Sequence, residues 1–233
     1  MNPLATNKDL AKKLLELMKE PDYYLPIYKD TYLFRQGEVA NELYLIISGQ
    51  VVIGKTTSDG RELTIRYCGP NDLVGEFTTG QASIQYLVDG KITEPGEVAV
   101  FNQEKLLDQL QLKPQLMIEL LSYFSLQQRK DQLRFRDLLL YGKKGALYST
   151  LIRLANSYGQ ETEDGILINK HLTNQEIAHF CATTRESVNR QLTELRRNNV
   201  IQIEHGLITI LELDTLRKAI NCENCPIELC TID

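Results

Sequence analysis

The sequence predicts an α+β chain with four parts: a β-rich N-terminal half, one long helix, a winged helix-turn-helix and a short cysteine-bearing tail. Three observations carry this. Short β-rich runs separated by turn residues fill residues 31–100. Residues 113–141 contain no Gly and show apolar residues at helical spacing after Pro114. Residues 172–197, LTNQEIAHFCATTRESVNRQLTELRR, hold two capped helical patterns around a short turn. The expected domains are 1–112, the helix 113–141, the DNA-reading domain 142–219 and the tail 220–233.

The composition, 42% hydrophobic and 24% charged over 233 residues, is that of an ordinary globular protein. Apolar runs such as 98–101 and 138–141 fall far short of the ~20 residues of a membrane span. Residues 1–13 lack the basic region and apolar core of a signal peptide. A reducing cytoplasm, with no membrane partner, is therefore expected. Five cysteines are few for a disulfide framework, and Cys222, Cys225 and Cys230 crowd into one short segment.

Taken in order, residues 4–19 read as an amphipathic helix through Leu10, Leu14, Leu15 and Leu17, ended by Pro21. The runs 43–47, 50–53 and 63–67 read as separate strands, with turns at 48–49, 58–60, 69–72 and 89–90. Together they suggest a small barrel or sandwich. Pro114 suits a helix's first turn. Leu121, Phe124, Gln128, Asp131, Phe135 and Leu138 alternate spacings of three and four, a coiled-coil seam with a polar break at Gln128 and Asp131. Such a break can fix register between two chains; the alternative is a helix lying on its own β domain. Gly142-Lys143-Lys144-Gly145 reads as a hinge, followed by a helix over 146–158, an acidic turn over 160–165 and a strand over 166–168.

Within residues 172–197, Thr173 and Glu176 form a capping-box pattern, and Thr184 can cap the second helix. Ile177, Ala178 and Phe180 give the first helix its buried face; Val188, Leu192 and Leu195 do so for the second. That leaves Arg185, Glu186, Asn189 and Arg190 facing outward. Arginine can donate twice to guanine O6 and N7, and glutamate can accept from cytosine N4. Thr173 and these four residues are the candidate DNA contacts, with Arg196 and Arg197 placed for phosphates. Asn198-Asn199 breaks the helix, and two short strands, 200–203 and 207–211, make a wing. The alternative is a structural helical hairpin with a solvated face. Formal charge argues against it: the total is −5, yet residues 143–199 alone carry +2.

On these motifs the chain resembles the CRP/FNR family of dimeric bacterial transcription regulators. The β segment carries the family's cyclic-nucleotide-domain pattern in Phe34, Gly37-Glu38, residues 43–46, Ser48-Gly49, Val51, Gly69 and Gly75-Glu76-Phe77. The resemblance implies a β-roll, a dimerisation helix, a homodimer and contact with RNA polymerase. Residues 184–190, TRESVNR, match the recognition-helix signature of members that read TGTGA half-sites. Carried over, Arg185 contacts the outer G, Glu186 the cytosine of the central pair and Arg190 the inner G. The expected site is close to TGTGA-N6-TCACA. The cAMP-binding members follow Gly-Glu with Arg-Ser about ten residues on. Here residues 81–88 read QASIQYLV, and no arginine lies between Arg66 and Arg129. No cAMP is expected, and Gly75 and Glu76 are read as structural.

Cys222-x2-Cys225-x4-Cys230, with Pro226 after the second cysteine, reads as a cluster or metal loop. Zinc uses similar spacings. A redox pair is a second alternative, and incidental thiols in a loose tail a third. An enzyme using Cys222 and Cys225 for thiol exchange finds no support: no thioredoxin-like βαβ context is present, and His171, His179 and His205 are scattered. Within the family the arrangement resembles the Gram-positive-type Fnr proteins, whose three C-terminal cysteines hold an oxygen-labile 4Fe–4S cluster. The fourth ligand there is an aspartate near the end of the dimerisation helix, which matches Asp137. An ordinary salt bridge to Arg134, Arg136 or a neighbouring lysine is the alternative for Asp137, and Cys181 is the alternative ligand. The resemblance implies an oxygen-responsive regulator, not an enzyme, in which a cluster tying the tail to Asp137 clamps the reading head near residues 142–145. A family regulator answering to zinc or another small effector is the alternative.

Overall fold

Two long antiparallel strands organise the N-terminal half of the computed structural model, which describes residues 12–14, 16, 21–58, 60, 62–78 and 84–232. They are β3 (Glu42–Thr56) and β6 (Asp89–Asn102), paired from Glu42↔Asn102 to Gly54↔Asp89. β1 (Tyr23–Ile27) and β2 (Tyr32–Phe34) pair with β6, and β5 (Leu73–Val74) pairs with β3. With β4 (Glu62–Cys68) the sheet order is β1-β6-β3-β4.

The runs 43–47 and 50–53 are one strand, not two. Ser48-Gly49 is a bulge inside β3, with register shifts on both sides. Gly49 has φ +87°, and a Cβ there would meet Glu94 O at 2.7 Å, so the close crossing with β6 needs glycine. Asp89-Gly90 is likewise no turn: Gly90 lies in β6, where a Cβ would strike the Phe34 ring at 2.9 Å. Phe34 stacks on Tyr86 at 4.1 Å and on Tyr44 at 5.9 Å. Cys68 is buried in this core with Ile46, Val98 and Val100. Of the helix expected over 4–19, most lies outside the described residues; 12–14 and 16 are helical.

α1 (Gln103–Leu112) is capped by Asn102, whose side chain accepts from Glu104 N and Lys105 N. α2 (Pro114–Tyr158) follows, with non-helical geometry at Gly142 (φ 59°, ψ −159°). The chain divides into two units within α2: residues 1–61 with 65–128 and 233, and residues 62–64 with 129–232. In the first unit Leu116, Leu120, Tyr123 and Leu126 are buried. Tyr123 Oη donates to Leu73 O at 2.9 Å and accepts from Leu73 N at 3.0 Å.

The seam expected on α2 is displaced. Phe124 stacks on Phe77 of its own unit at 6.0 Å, and Leu138 is half-buried in the core of the second unit. The exposed apolar residues are Met117, Ile118 and Leu121, then Phe135, Leu139 and Leu140. In the first unit Leu121 and Gln128 are exposed while Phe124 is half-buried; in the second Phe135 is exposed while Leu138 is half-buried.

The second unit holds a sheet of order β7-β8-β10-β9. β7 (Gly159–Thr162) and β8 (Gly165–Ile168) pair through Thr162↔Gly165. The acidic turn expected over 160–165 is thus only Glu163-Asp164, because Gln160 and Glu161 join the ladder. α3 (Asn174–Phe180), α4 (Arg185–Arg197), the wing strands β9 (Ile201–Glu204) and β10 (Leu207–Ile210) and α5 (Leu213–Ala219) complete it. Leu147, Leu151 and Leu154 of α2 share one core with Ile177, Val188, Leu192, Ile208, Leu216 and Ile232. At the bend, Gly142 takes positive φ, and a Cβ on Gly145 would lie 2.0 Å from Tyr141 Cβ. Glycines at both positions are what the bend requires.

Candidate DNA-reading helix and cysteine cavity

The sequence cues of α3 and α4 appear as hydrogen bonds. Thr173 Oγ1 accepts from Glu176 N at 3.2 Å, while Glu176 Oε2 accepts from Thr173 N at 2.7 Å and from its hydroxyl at 2.8 Å. This closes the capping box. Thr184 Oγ1 accepts from Ser187 N at 3.3 Å and starts α4. Between the helices Ala182 adopts φ 46°, and Cys181 is fully buried with its Sγ 3.6 Å from Thr150 Oγ1. Burial pushes the Cys181 thiol up to about 12, so it remains a neutral core group.

Arg185, Glu186, Asn189 and Arg190 are all exposed on α4, as are Arg196 and Arg197 in its last turn. Glu186's own backbone N–H and the Thr184 hydroxyl hold its carboxyl below the usual range, leaving an acceptor-only group. Asn174 Nδ2 donates to Asn189 Oδ1 at 3.2 Å, bracing α3 against α4. Thr173, Asn174, Gln175 and Arg185 line an open cleft of about 520 Å³. Asn174 and Gln175 were not among the expected contacts; their position directly after the Thr173 cap was the available signal.

Cys222, Cys225 and Cys230 are free thiols, each half-buried. All three line one cavity of about 160 Å³ with Ile152, Asn156, Arg217, Asn224 and Ile227. Asn221 (φ 44°) and Asn224 (φ 51°) shape the loop, as short polar side chains tolerate left-handed backbone. Burial first, with the neighbouring Cys225 and Cys222 adding to it, pushes the Cys230 thiol up to about 11. Among the described residues no three His, Cys, Asp or Glu side chains are already gathered as a metal-ligand set. The soft sulfur donors and the nearby guanidiniums nonetheless suit an anionic thiolate-held group.

Asp137 is outside the cavity lining and 2% exposed. Its Oδ2 accepts from Ser149 Oγ at 2.5 Å and Arg153 Nη2 at 2.8 Å; its Oδ1 accepts from Arg136 Nε at 3.1 Å and Nη2 at 2.8 Å. Burial opposes its charge, but Ser149, Arg153 and Arg136 outweigh burial and hold its carboxyl below the usual value. The salt bridge weighed for Asp137 is therefore present, with Arg136 and Arg153 as partners. Arg153 lies on the far side of the Gly142 bend and was not singled out in the sequence.

The same helix grips the cysteine segment. Arg153 Nη1 donates to Leu229 O at 3.2 Å and Asn156 Nδ2 to Cys230 O at 2.7 Å. Arg134 Nη2 donates to Thr231 O at 3.2 Å and Ile232 O at 2.9 Å, while Ile232 N donates to Ser157 Oγ at 3.0 Å. Leu229 and Ile232 are buried, so residues 229–232 are a docked strap rather than a loose tail. In the β domain, Leu87 N donates to Glu76 Oε1 at 2.5 Å, and Gln103 Nε2 donates to Glu76 O at 2.5 Å. Glu76 thus braces its own fold.

A capped helix pair with an exposed Arg-Glu-Asn-Arg face, followed by a wing, defines a DNA-binding transcription regulator. Comparison with known proteins agrees. Residues 25–113 match the cyclic nucleotide-binding domain, and residues 145–219 match the Crp-like helix-turn-helix domain. The chain is 52% identical over 225 residues to the anaerobic regulatory protein of Bacillus subtilis, covering 96% of this chain and 94% of that one. It is 27% identical over 186 residues to the CRP-like cAMP-activated global transcriptional regulator of Mycobacterium tuberculosis, covering 80% and 83%. A CooA mutant from Carboxydothermus hydrogenoformans shares the fold with a TM-score of 0.74 at 17% identity, over 89% of this chain and 95% of that one. The chain belongs to the CRP/FNR family, whose members are dimeric DNA-binding regulators and not enzymes.

Proposed function

We propose that this protein is an oxygen-responsive transcription regulator whose DNA binding is controlled by a 4Fe–4S cluster. Cys222, Cys225, Cys230 and Asp137 are the proposed ligands. The observation that carries this is the gathering of all three tail thiols on one cavity, strapped to the helix that bears Asp137 and Arg153. The similarity to a protein named an anaerobic regulator supports it. When bound, such a cluster supplies an oxygen-sensitive, thiolate-held centre.

The chain's own residues then relay its state. Asp137 precedes the Gly142 bend, and Ser149 and Arg153 follow it. A change at the Asp137 carboxylate acts directly across that bend, which leads into the core beneath α3 and α4. The strap of residues 229–232 is held to α2 by Arg134, Arg153, Asn156 and Ser157, which ties the cysteine segment to the same bend.

On α4, Arg185, Glu186 and Arg190 read a site close to TGTGA-N6-TCACA, with Arg196 and Arg197 on phosphates and Asn189 and Thr173 at the rim. Two half-sites roughly 34–36 Å apart fit a two-fold dimer. The dimer forms through exposed apolar residues of α2, among them Ile118 and Leu121 in the first unit and Phe135 and Leu139 in the second. The protein works in the cytoplasm and acts with RNA polymerase.

Anaerobic reconstitution with iron and sulfide tests the whole reading. Broad visible absorption should appear and then vanish in air together with tight binding to the palindrome. Identical DNA binding with and without the cluster rejects the control mechanism. Zinc without acid-labile sulfide in anaerobically purified protein favours the zinc alternative.

A further inference from the structure

The two oxygens of Asp137 are held in different ways. Oδ2 is fixed by donors that are themselves fixed. Arg153 is 3% exposed at its side chain, donates Nε to Ser149 Oγ at 3.1 Å and is tied through Nη1 to Leu229 O. Oδ1 is held by Arg136, whose side chain is 23% exposed and able to leave for solvent. The remaining arm of Arg136, Nη1, donates at 2.6 Å to Oε2 of Glu223. Glu223 stands between Cys222 and Cys225, and its side chain is 68% exposed. One guanidinium therefore links the buried carboxylate to the cysteine loop.

We infer that Arg136 is a displaceable latch: it donates to Oδ1 of Asp137 and must swing away for that oxygen to ligate. Arg153 and Ser149 are positioning residues that keep Oδ2, so the carboxylate stays oriented while Oδ1 is handed over. This rests on the assignment of Asp137 as the fourth ligand. A carboxylate shared by two guanidiniums can lose one and stay compensated in the interior, and here one of the pair is buried and the other partly exposed. The latch competes with metal. It weakens holding and gives Oδ1 a partner again once the metal has gone.

The test is anaerobic titration of the full-length, metal-free protein with Co²⁺, read by thiolate-to-cobalt charge-transfer absorption. Arg136→Ala should bind Co²⁺ about three- to tenfold tighter, the range expected for losing a partly exposed charge-assisted competitor. Glu223→Gln, a conservative change at an exposed side chain, should move affinity the same way by a smaller factor. Arg136→Lys, which keeps the cation, should return affinity toward the unsubstituted value. Asp137→Asn should weaken binding and abolish the gain from Arg136→Ala in the double variant. Unchanged or weaker Co²⁺ binding by Arg136→Ala, with Asp137→Asn still impaired, overturns the latch alone. Asp137→Asn binding as tightly as the unsubstituted chain removes Asp137 as a ligand, and the latch with it. Absence of any thiolate band in the unsubstituted chain rejects the cysteine site itself.

Discussion

The reading face of α4 and the cysteine cavity are built on opposite plans, although they share one core. On α4 every candidate contact is exposed, and the helix is set by caps three residues away. Around the cavity, backbone carbonyls of residues 229–232 accept from Arg134, Arg153 and Asn156, with separations of 74 to 98 residues. A face that must meet DNA is presented ready-made. The cysteine site, proposed to change state, is assembled from distant parts and held by ion pairs that can be exchanged.

The largest expected effect breaks the assembled region. Arg153→Leu leaves Asp137 buried with only Ser149 and the half-buried Arg136 as partners and should cost about 3–5 kcal/mol in urea unfolding. Adding Asp137→Leu should recover much of that loss. A cost below about 1 kcal/mol would show that the ion pairs are ornament, erasing the contrast. Next comes the ready-made face. Arg185→Ala should lose about 1–3 kcal/mol on the palindrome and relax discrimination at one base pair while leaving unfolding unchanged. Uniform loss on all sequences would move Arg185 to the phosphate class. Arg196→Ala should weaken all DNA alike and reduce the salt slope by about 1. Thr173→Ala, measured by thermal unfolding, should cost about 1 kcal/mol through the lost capping box.

The smallest effect is acid sensitivity. Asp137's folded pKa is depressed, so its stabilising contribution is complete above the unfolded value of about 3.9 and is lost as pH falls through the lower folded value. Asp137→Asn should flatten the stability profile below about pH 4 and leave the rest of the profile's slope alone. An unchanged acid limb would mean the carboxylate gains nothing from its three partners.

Legibility in the sequence followed the same division. Thr173, Glu176 and Thr184 announced their helices because capping is settled within three residues. The spacing of the cysteines singled out their segment for the same reason. Arg136 was legible as a salt-bridge partner because it adjoins Asp137, but Arg153 left no such mark: it looks like one more charge on a helix, and only the Gly142 bend brings Ser149 and Arg153 back onto Asp137. The seam on α2 went astray for a different reason. That helix is apolar on two sides, with Leu116, Leu120 and Tyr123 inward and Ile118 and Leu121 outward. Heptad spacing alone then fits more than one stripe. In the β half, Gly49 and Gly90 looked like turns because glycine marks both a turn and a close crossing, and only the partner strand decides which.

Leu229 and Ile232 are buried side chains of the DNA-reading unit, and Ile232 belongs to its core. About 35 residues separate Ile232 from the end of α4. At roughly 5–20 residues per second, a ribosome takes a few seconds to cover that interval. Through those seconds the reading helix has been made, but the core beneath it has a gap that only the cysteine segment fills. Synthesis thus delivers the cysteine segment before the reader is finished, and a nascent chain has no interval in which the reading core is complete without it.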